Sequence, residues 1–303
     1  MSEITLEHAS RWYGNVVAVN DVSYTLSAGI TGLLGPNGAG KSTVLHMLAG
    51  LLRPSAGKVL IDGAPAAGRP EVYRSVGLVP ERESVHAFLT GREFVRMNAK
   101  LQQLKDADAA ATRAIAMVDL VDAQDRRVGT YSKGMRQRIK IAGALVHEPQ
   151  ILLLDEPFNG MDPAQRILMM ELLVRQAGEG RVVLISSHIL EELNELATNV
   201  LVMVSGRLAA SGHFREIRKL MIDRPHTFTV RSTDDRTLAS RLMAEPSVFS
   251  VELSHGMISL RTSDRGSLTR ALPRVARDAG ISIHELRPTD ESLESVFSYL
   301  VQR

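Results

Sequence analysis

The stretch that decides the fold is Gly35-Pro36-Asn37-Gly38-Ala39-Gly40-Lys41-Ser42-Thr43. It follows the apolar run Ile30 to Leu34 and precedes a helical run that starts at Val44. Its GxxxxGK[ST] pattern turns backbone N–H groups around phosphate oxygens, with the positive end of a helix behind them. Lys41 is suited to neutralising the β and γ phosphates, and Ser42 offers a hydroxyl to Mg²⁺. The strand before it and the helix after it favour a phosphate-binding loop over a glycine-rich turn that spells the motif by chance.

A second stretch of the sequence contains two adjacent acidic side chains. Ile151-Leu152-Leu153-Leu154-Asp155-Glu156-Pro157 is a short apolar strand that ends in two carboxylates. In a parallel sheet this position is the edge where the phosphate loop also lies. Asp155 is expected to hold Mg²⁺, and Glu156 to act as the general base on the attacking water. Acids also end strands at the solvent boundary, so this interpretation depends on the neighbouring phosphate loop.

A third stretch points to a family. Tyr131-Ser132-Lys133-Gly134-Met135-Arg136-Gln137-Arg138, with Ser132 lying 23 positions before Asp155, resembles the signature sequence of ATP-binding cassette (ABC) ATPases. It departs from the common LSGGQ at Tyr131, Lys133 and Met135. The resemblance implies that Ser132 and Gly134 meet the γ-phosphate of ATP held by a second copy, so that hydrolysis requires a homodimer. From the residues alone, Ser132 is equally an N-cap for the helix that follows it.

Other landmarks of that family occur in the expected order. The resemblance implies that Tyr13 stacks on adenine, that Asn159-Gly160-Met161-Asp162 links the two sites of a dimer, and that His188 contacts the γ-phosphate and helps to hold the water. Glu81 occupies the position where the family typically has Gln, and its carboxylate joins Ser42 and Asp155 as a candidate Mg²⁺ ligand. Tyr13 also fits a surface strand aromatic, and Asp162-Pro163 a plain helix start.

The order of elements predicts an α/β fold with two domains. The family resemblance implies that residues 1–220 form a P-loop NTPase ABC cassette with a mixed sheet core, an antiparallel β subdomain and a helical subdomain at about 82–147. Residues 224–303 are predicted to form an accessory α+β ferredoxin-like domain with βαββαβ order. A closing amphipathic helix carries Leu293, Val296, Phe297 and Leu300 on one face.

The composition of the chain limits the cellular location and the kinds of partner that can be expected. The chain has 303 residues, no cysteine, and a formal net charge of +2. It contains no apolar run of roughly 18 to 20 residues that could cross a bilayer. Its first residues, MSEITLEHAS, do not show the apolar core of a secretory signal, so we expect no secretory leader. We therefore expect a cytoplasmic protein, and the family resemblance implies that it is peripheral on the inner face of the cell membrane through a permease. The small net charge gives no support for direct nucleic-acid binding.

The resemblance extends over about residues 1 to 220 and implies an ATPase subunit that drives export through a separate multi-span permease. The segment Ser84 to Arg96 is the expected permease surface, with a solvated loop as the alternative. A single-cassette ATPase that gates a non-transport partner is the main alternative function. A role on nucleic acid or ribosomes is disfavoured, because such relatives normally carry two cassettes or a long coiled-coil insertion.

Overall fold

A computed structural model describes residues 2–82, 85–188, 190–213, 216–217, 226–254 and 256–289. These residues divide into two compact units, and the division follows His213. The expected boundary at 220 to 224 and the closing helix that carries Leu293 lie outside the described residues.

The first unit contains two sheets and a group of helices. Its strands are β1 (Ile4–Tyr13), β2 (Val16–Leu26), β3 (Gly29–Leu34), β4 (Ala56–Ile61), β5 (Ala64–Pro65), β6 (Val76–Val79), β7 (Ile151–Asp155), β8 (Val182–Ser186), β9 (Asn199–Val204) and β10 (Arg207–Gly212). Its α-helices are α1 (Lys41–Leu48), α2 (Val72–Ser75), α3 (Gly91–Leu101), α4 (Ala107–Met117), α5 (Lys133–Leu145), α6 (Pro163–Gly178) and α7 (Leu190–Leu196). Short 3-10 turns occupy Val121–Ala123 and Val128–Thr130.

The larger sheet has the order β10-β9-β3-β8-β7-β6. The pairs from β9 to β6 are parallel, and β10 is antiparallel to β9. Every residue of β7 and β8 is buried. This agrees with their nearly continuous apolar sequences, because a parallel strand is covered on both faces. The mixed sheet predicted for the core is confirmed.

The second sheet is antiparallel, with the order β2-β1-β4-β5. Ile4 pairs with Leu26 on one side and with Ile61 on the other, and all three side chains are buried. This sheet is the predicted antiparallel β subdomain, and it shares an apolar core with α1 and the larger sheet.

Helices α3, α4 and α5 form the predicted helical subdomain. Thr90 begins α3 with a capping box, since its side chain accepts a hydrogen bond from the Glu93 backbone while the Glu93 carboxylate accepts one from the Thr90 backbone. Ser132 begins α5, and its hydroxyl accepts a hydrogen bond from the Met135 backbone N–H at 3.2 Å. The N-cap interpretation of Ser132 is therefore correct.

The second unit has the predicted βαββαβ order. Its elements are β11 (His226–Ser232), α8 (Asp235–Leu242), β12 (Val248–Ser254), β13 (Met257–Thr262), α9 (Arg265–Asp278) and β14 (Ile283–Pro288). The antiparallel sheet has the order β12-β13-β11-β14, and Phe228, Val230, Ile258 and Leu260 pack beneath the helices in its core. This is the strand order of a ferredoxin-like module.

Strand β6 and the β9–β10 hairpin are not predicted by the sequence pattern. Strand β6 has only four residues, and one of them is Gly77. Apolar runs this short give no clear period. The hairpin turns at Ser205 and Gly206, both with positive φ, and Ser-Gly is a weaker turn signal than Asn-Gly or Asp-Gly.

Gly77 provides a test of the packing between β6 and α5. A β-carbon at this position would meet the backbone oxygen of Ala144 and would lie 3.0 Å from Leu152 Cδ2. We expect Gly77→Ala to destabilise the first unit by about 1–3 kcal/mol, because overpacking a close backbone contact forces the chain apart. The single tryptophan, Trp12 in β1, allows the unfolding of this unit to be followed by fluorescence in urea.

The matched control is Gly178→Ala. Gly178 is the last residue of α6, and no atom lies within 4 Å of a β-carbon placed there. This variant is expected to be neutral or to gain up to about 1 kcal/mol through reduced chain entropy in the unfolded state. Equal midpoints for the two variants would contradict the close packing of β6 on α5.

Candidate active site

The phosphate loop connects β3 to α1. Gly40 is the N-cap of α1 with φ of 99°, and a β-carbon there would run into the backbone oxygen of Ala18. Only glycine combines this left-handed backbone with so close a neighbour. Glycine at this position therefore fixes how the start of α1 faces the loop.

The loop opens onto a cavity of about 490 Å³. The residues that line it are Ala18, Asn37, Gly38, Gly40, Lys41, Ser42, Thr43, Glu81, Asp155, Glu156 and His188. Three members of the predicted loop, Gly35, Pro36 and Ala39, do not line it. The phosphate loop, both acids, Glu81 and His188 are thus brought together from segments distant in sequence.

Lys41 is buried at the base of the cavity. Its ammonium donates hydrogen bonds to the loop's own carbonyl oxygens, at 2.8 Å to Gly35 and 3.3 Å to Pro36. These bonds hold the positive charge against the loop whose backbone N–H groups suit phosphate oxygens.

Asp155 and Glu156 face the same cavity although they are consecutive. In a continuing strand their side chains would point to opposite faces. The chain leaves β7 at Glu156, which has φ of 50°, and its backbone N–H donates to the Ser186 oxygen at 3.0 Å. Gln137 holds the Glu156 carbonyl from α5 at 3.2 Å. Asp155 is buried and accepts a hydrogen bond from the Ser186 hydroxyl.

Glu156 and His188 form a close pair. Glu156 Oε2 lies 2.8 Å from His188 Nδ1, and the carboxylate is almost fully buried whereas the imidazole is half exposed. Burial raises the pKa of Glu156, while the hydrogen bond with His188 and the positive charge of Lys41 oppose the shift. A raised pKa makes a carboxylate a stronger base toward water.

The oxygen donors fit Mg²⁺. Ser42, Glu81 and Asp155 all line the cavity with hard oxygen ligands. Within the part of the chain that the structure describes, no three or more His, Asp or Glu side chains form a cluster that could hold a metal by themselves. Mg²⁺ is usually held by one or two carboxylates together with substrate phosphates, so this donor set suits it.

Lys140 fixes the segment that carries Glu81. Its buried ammonium projects from α5 and donates to the carbonyl oxygen of Pro80 at 2.8 Å, with the oxygens of Arg82 and Glu81 at 3.4 and 3.5 Å. The backbone of the candidate metal ligand is thereby connected to the helix that begins at Ser132.

Ser132, Gly134 and Tyr13 do not line the cavity. Ser132 is exposed at the start of α5, and Gly134 packs near Gly160 and Gln165. Tyr13 is exposed at the end of β1, with the Arg11 guanidinium 4.9 Å from the centre of its ring. The role of Tyr13 toward adenine stays a prediction.

Sequence reasoning missed several polar residues around the site. Ser186, Ser187 and Gln137 are buried. Ser186 donates a hydrogen bond to Asp155 and Gln137 donates one to the Glu156 carbonyl, whereas Ser187 donates to Glu192. Ser186 and Ser187 directly precede His188, and this position was the one available signal. Nothing local distinguishes Gln137, because its role comes from the packing of α5 on the end of β7.

Comparison with known proteins agrees with the fold and the phosphate loop described above. A family model described as ABC transporter matches residues 19–159. The Nod factor export ATP-binding protein I of Rhizobium leguminosarum bv. viciae is 32% identical over 86% of this chain and 84% of its own. The daunorubicin resistance ATP-binding protein DrrA3 of Streptomyces coeruleorubidus is 30% identical over 98% of this chain and 95% of its own length. A solved structure of an ABC transporter ATP-binding subunit superposes with a TM-score of 0.67 at 28% identity, over 72% of this chain and 92% of that one.

The Glu156–His188 pair generates a prediction for turnover. Glu156→Gln preserves the shape of the side chain but removes the base, so we expect the turnover number for ATP to fall by about 10²–10⁴-fold. The affinity for ATP, measured with a fluorescent ATP analogue, should change by less than about threefold, since binding depends on the phosphate loop.

Glu179→Gln is the control, because Glu179 is an exposed residue at the end of α6 and outside the cavity. A Glu156→Gln protein that turns over ATP at the parent rate would show that another group activates the water.

Proposed function

Because this chain is a member of the ABC transporter ATP-binding family and hence an ATPase, we propose that it powers export by a separate membrane permease. Two copies close on two molecules of ATP–Mg²⁺, and hydrolysis reopens the dimer and resets the permease. The observation that carries the proposal is the convergence of Lys41, Asp155, Glu156 and His188 on one cavity.

The residues of the cavity support a direct displacement by water. Lys41 and the loop N–H groups bind the β and γ phosphates. Asp155, Ser42 and Glu81 would hold Mg²⁺, which would neutralise charge on the phosphate oxygens. Glu156 accepts a proton from water as the water oxygen bonds to the γ-phosphorus. The bond from that phosphorus to the oxygen it shares with the β-phosphate breaks, giving ADP and phosphate. His188 orients Glu156 and contacts the γ-phosphate.

The need for a second copy is supported by where the signature residues lie. Ser132 and Gly134 begin α5 outside their own chain's cavity, and the start of a helix favours anions. We infer that each copy offers this helix start to the γ-phosphate of the other, as the family resemblance implies. Asn159–Asp162 precedes α6 beside Gly134 and would lie at the same interface.

Export through a partner is supported by the names of the relatives. One is a Nod factor export protein and another a daunorubicin resistance protein. None of the helices in the described ranges combines the length and apolar character that crossing a bilayer requires. We infer from these relatives that the permease contacts the cargo and that this subunit acts from the cytoplasmic face of the membrane.

The expected permease surface lies next to a cleft. Ser84, the first residue of this surface, is outside the described residues. Phe94, near the end of the surface, lines a cleft of about 300 Å³ together with Leu78, Met97, Lys140 and His147. Because Lys140 also holds the Glu81 segment, a permease element seated there would act directly on the ATP site.

The shared site predicts ATP-dependent dimers. Glu156→Gln should accumulate as a dimer in ATP–Mg²⁺, because the trapped nucleotide is not hydrolysed. Adding Ser132→Arg should return the protein to a monomer, as measured by light scattering. The reason is that a bulky cation would replace the small hydroxyl that donates a hydrogen bond to the γ-phosphate. Adding Thr112→Arg, at an exposed hydroxyl on α4, should leave the dimer intact. Dimers that survive Ser132→Arg would contradict the shared site.

Affinity capture tests the permease. We expect the tagged chain, taken from gently solubilised native membranes, to bring down a multi-span protein in stoichiometric amount and to hydrolyse ATP faster or slower with it than alone. Capture of ribosomes or nucleic acid instead would contradict the export function. A bound partner that spans no membrane would favour the gating alternative.

A further inference from the structure

Glu192 is a buried carboxylate that has no part in the mechanism described above. It lies on α7, four residues after His188, and its side chain is only 4% exposed. An ionised carboxylate in such a place is costly unless neighbouring groups compensate for the lost water. Burial raises the pKa of Glu192, and Ser187 and Arg166 oppose that shift.

The contacts of Glu192 reach the residue that carries His188. Oε2 accepts a hydrogen bond from the Ser187 hydroxyl at 2.9 Å, and Ser187 is fully buried. The next residue, His188, meets Glu156 at 2.8 Å. A carboxylate that holds Ser187 therefore restricts where the imidazole of His188 can lie.

The other oxygen of Glu192 points to α6. Oε1 lies 3.3 Å from Arg166 Nη1. Arg166 is in the first turn of this helix, where its backbone N–H bonds to the oxygen of the N-cap Asp162. Glu192 is thus a bridge between the loop before His188 and the helix that follows Asn159–Asp162.

The beginning of α6 lies against the beginning of α5. A β-carbon on Gly134 would be 2.7 Å from Gln165 Oε1 and 2.9 Å from the Gly160 oxygen. A continuous series of contacts therefore runs from Gly134, through α6, Arg166, Glu192 and Ser187, to His188. Both of its ends are groups that the proposed function places on a γ-phosphate, one in each site.

We propose that Glu192 and Arg166 are positioning residues that set His188 against Glu156 and connect it to the surface around Gly134 and Asp162. This inference rests on the proposed function, because it needs a catalytic His188 and a shared site. Arrival of a second copy at Gly134 and Asp162 would press on the start of α6. The Arg166–Glu192 ion pair would transmit this displacement to the imidazole.

The test compares Glu192→Gln in two backgrounds, the parent and His188→Ala. In the parent, we expect kcat for ATP to fall about tenfold with KM within about twofold, because a displaced imidazole affects the reaction and not the binding of nucleotide. In His188→Ala, measured by single turnover, the same substitution should change the rate by less than about twofold. Arg166→Met should behave in the same way. Glu195→Gln, at an exposed position on the same helix, should leave both rates unchanged.

An equal loss from Glu192→Gln in both backgrounds, or no loss in the parent, would overturn the inference alone. A His188→Ala protein with the parent rate would overturn the role of His188 in the proposed function as well. If Glu192→Gln fails to fold, Ser187→Ala removes only the hydroxyl donor and supports the same comparison.

Discussion

The parallel pairing of β3, β8 and β7 is the constraint on which the site depends. Ser186 at the end of β8 pairs with Leu33 of β3 on one side and with Asp155 of β7 on the other. The loops that follow these strands carry Lys41, Glu156 and His188, and they therefore emerge level at one edge of the sheet. A slip of one residue in β7 would turn Asp155 to the opposite face, so the register of the strands determines the chemistry.

Much of the fold and of the candidate site could be predicted, because the residues that determine them lie close together in sequence. The phosphate loop, the apolar strand before Asp155 and the N-cap at Ser132 each occupy a few consecutive residues, and βαββαβ order could be recognised from short alternating runs. Glu192 and Gln137 could not be predicted, because the role of Glu192 depends on its contact with Arg166 of α6 and the role of Gln137 on its contact with the chain after β7. That both carboxylates after β7 face one cavity also follows from a backbone turn at Glu156, which the sequence pattern does not reveal.

Buried cations fix the position of α5 in the first unit. Lys140 donates to the carbonyl oxygen of Pro80, directly after β6, which connects α5 to the larger sheet. Arg138 donates to the carbonyl oxygens of Val118 and Asp119 at 3.0 and 2.8 Å, which connects α5 to the end of α4. Hydrogen bonds from charged donors are short and directional. Apolar contacts alone would stabilise α5 without fixing its rotation. The start of α5 and the Glu81 segment are thereby oriented together.

Glu156 also lowers the stability of the folded protein. Its backbone has a positive φ that non-glycine residues seldom adopt, and its carboxylate is almost fully buried with a raised pKa. A glycine at this position would relieve both the backbone strain and the desolvation while removing the base. Stability and turnover therefore favour different residues at position 156. Directed evolution that selects this protein for heat resistance alone would be drawn toward sequences that fold better and no longer turn over ATP.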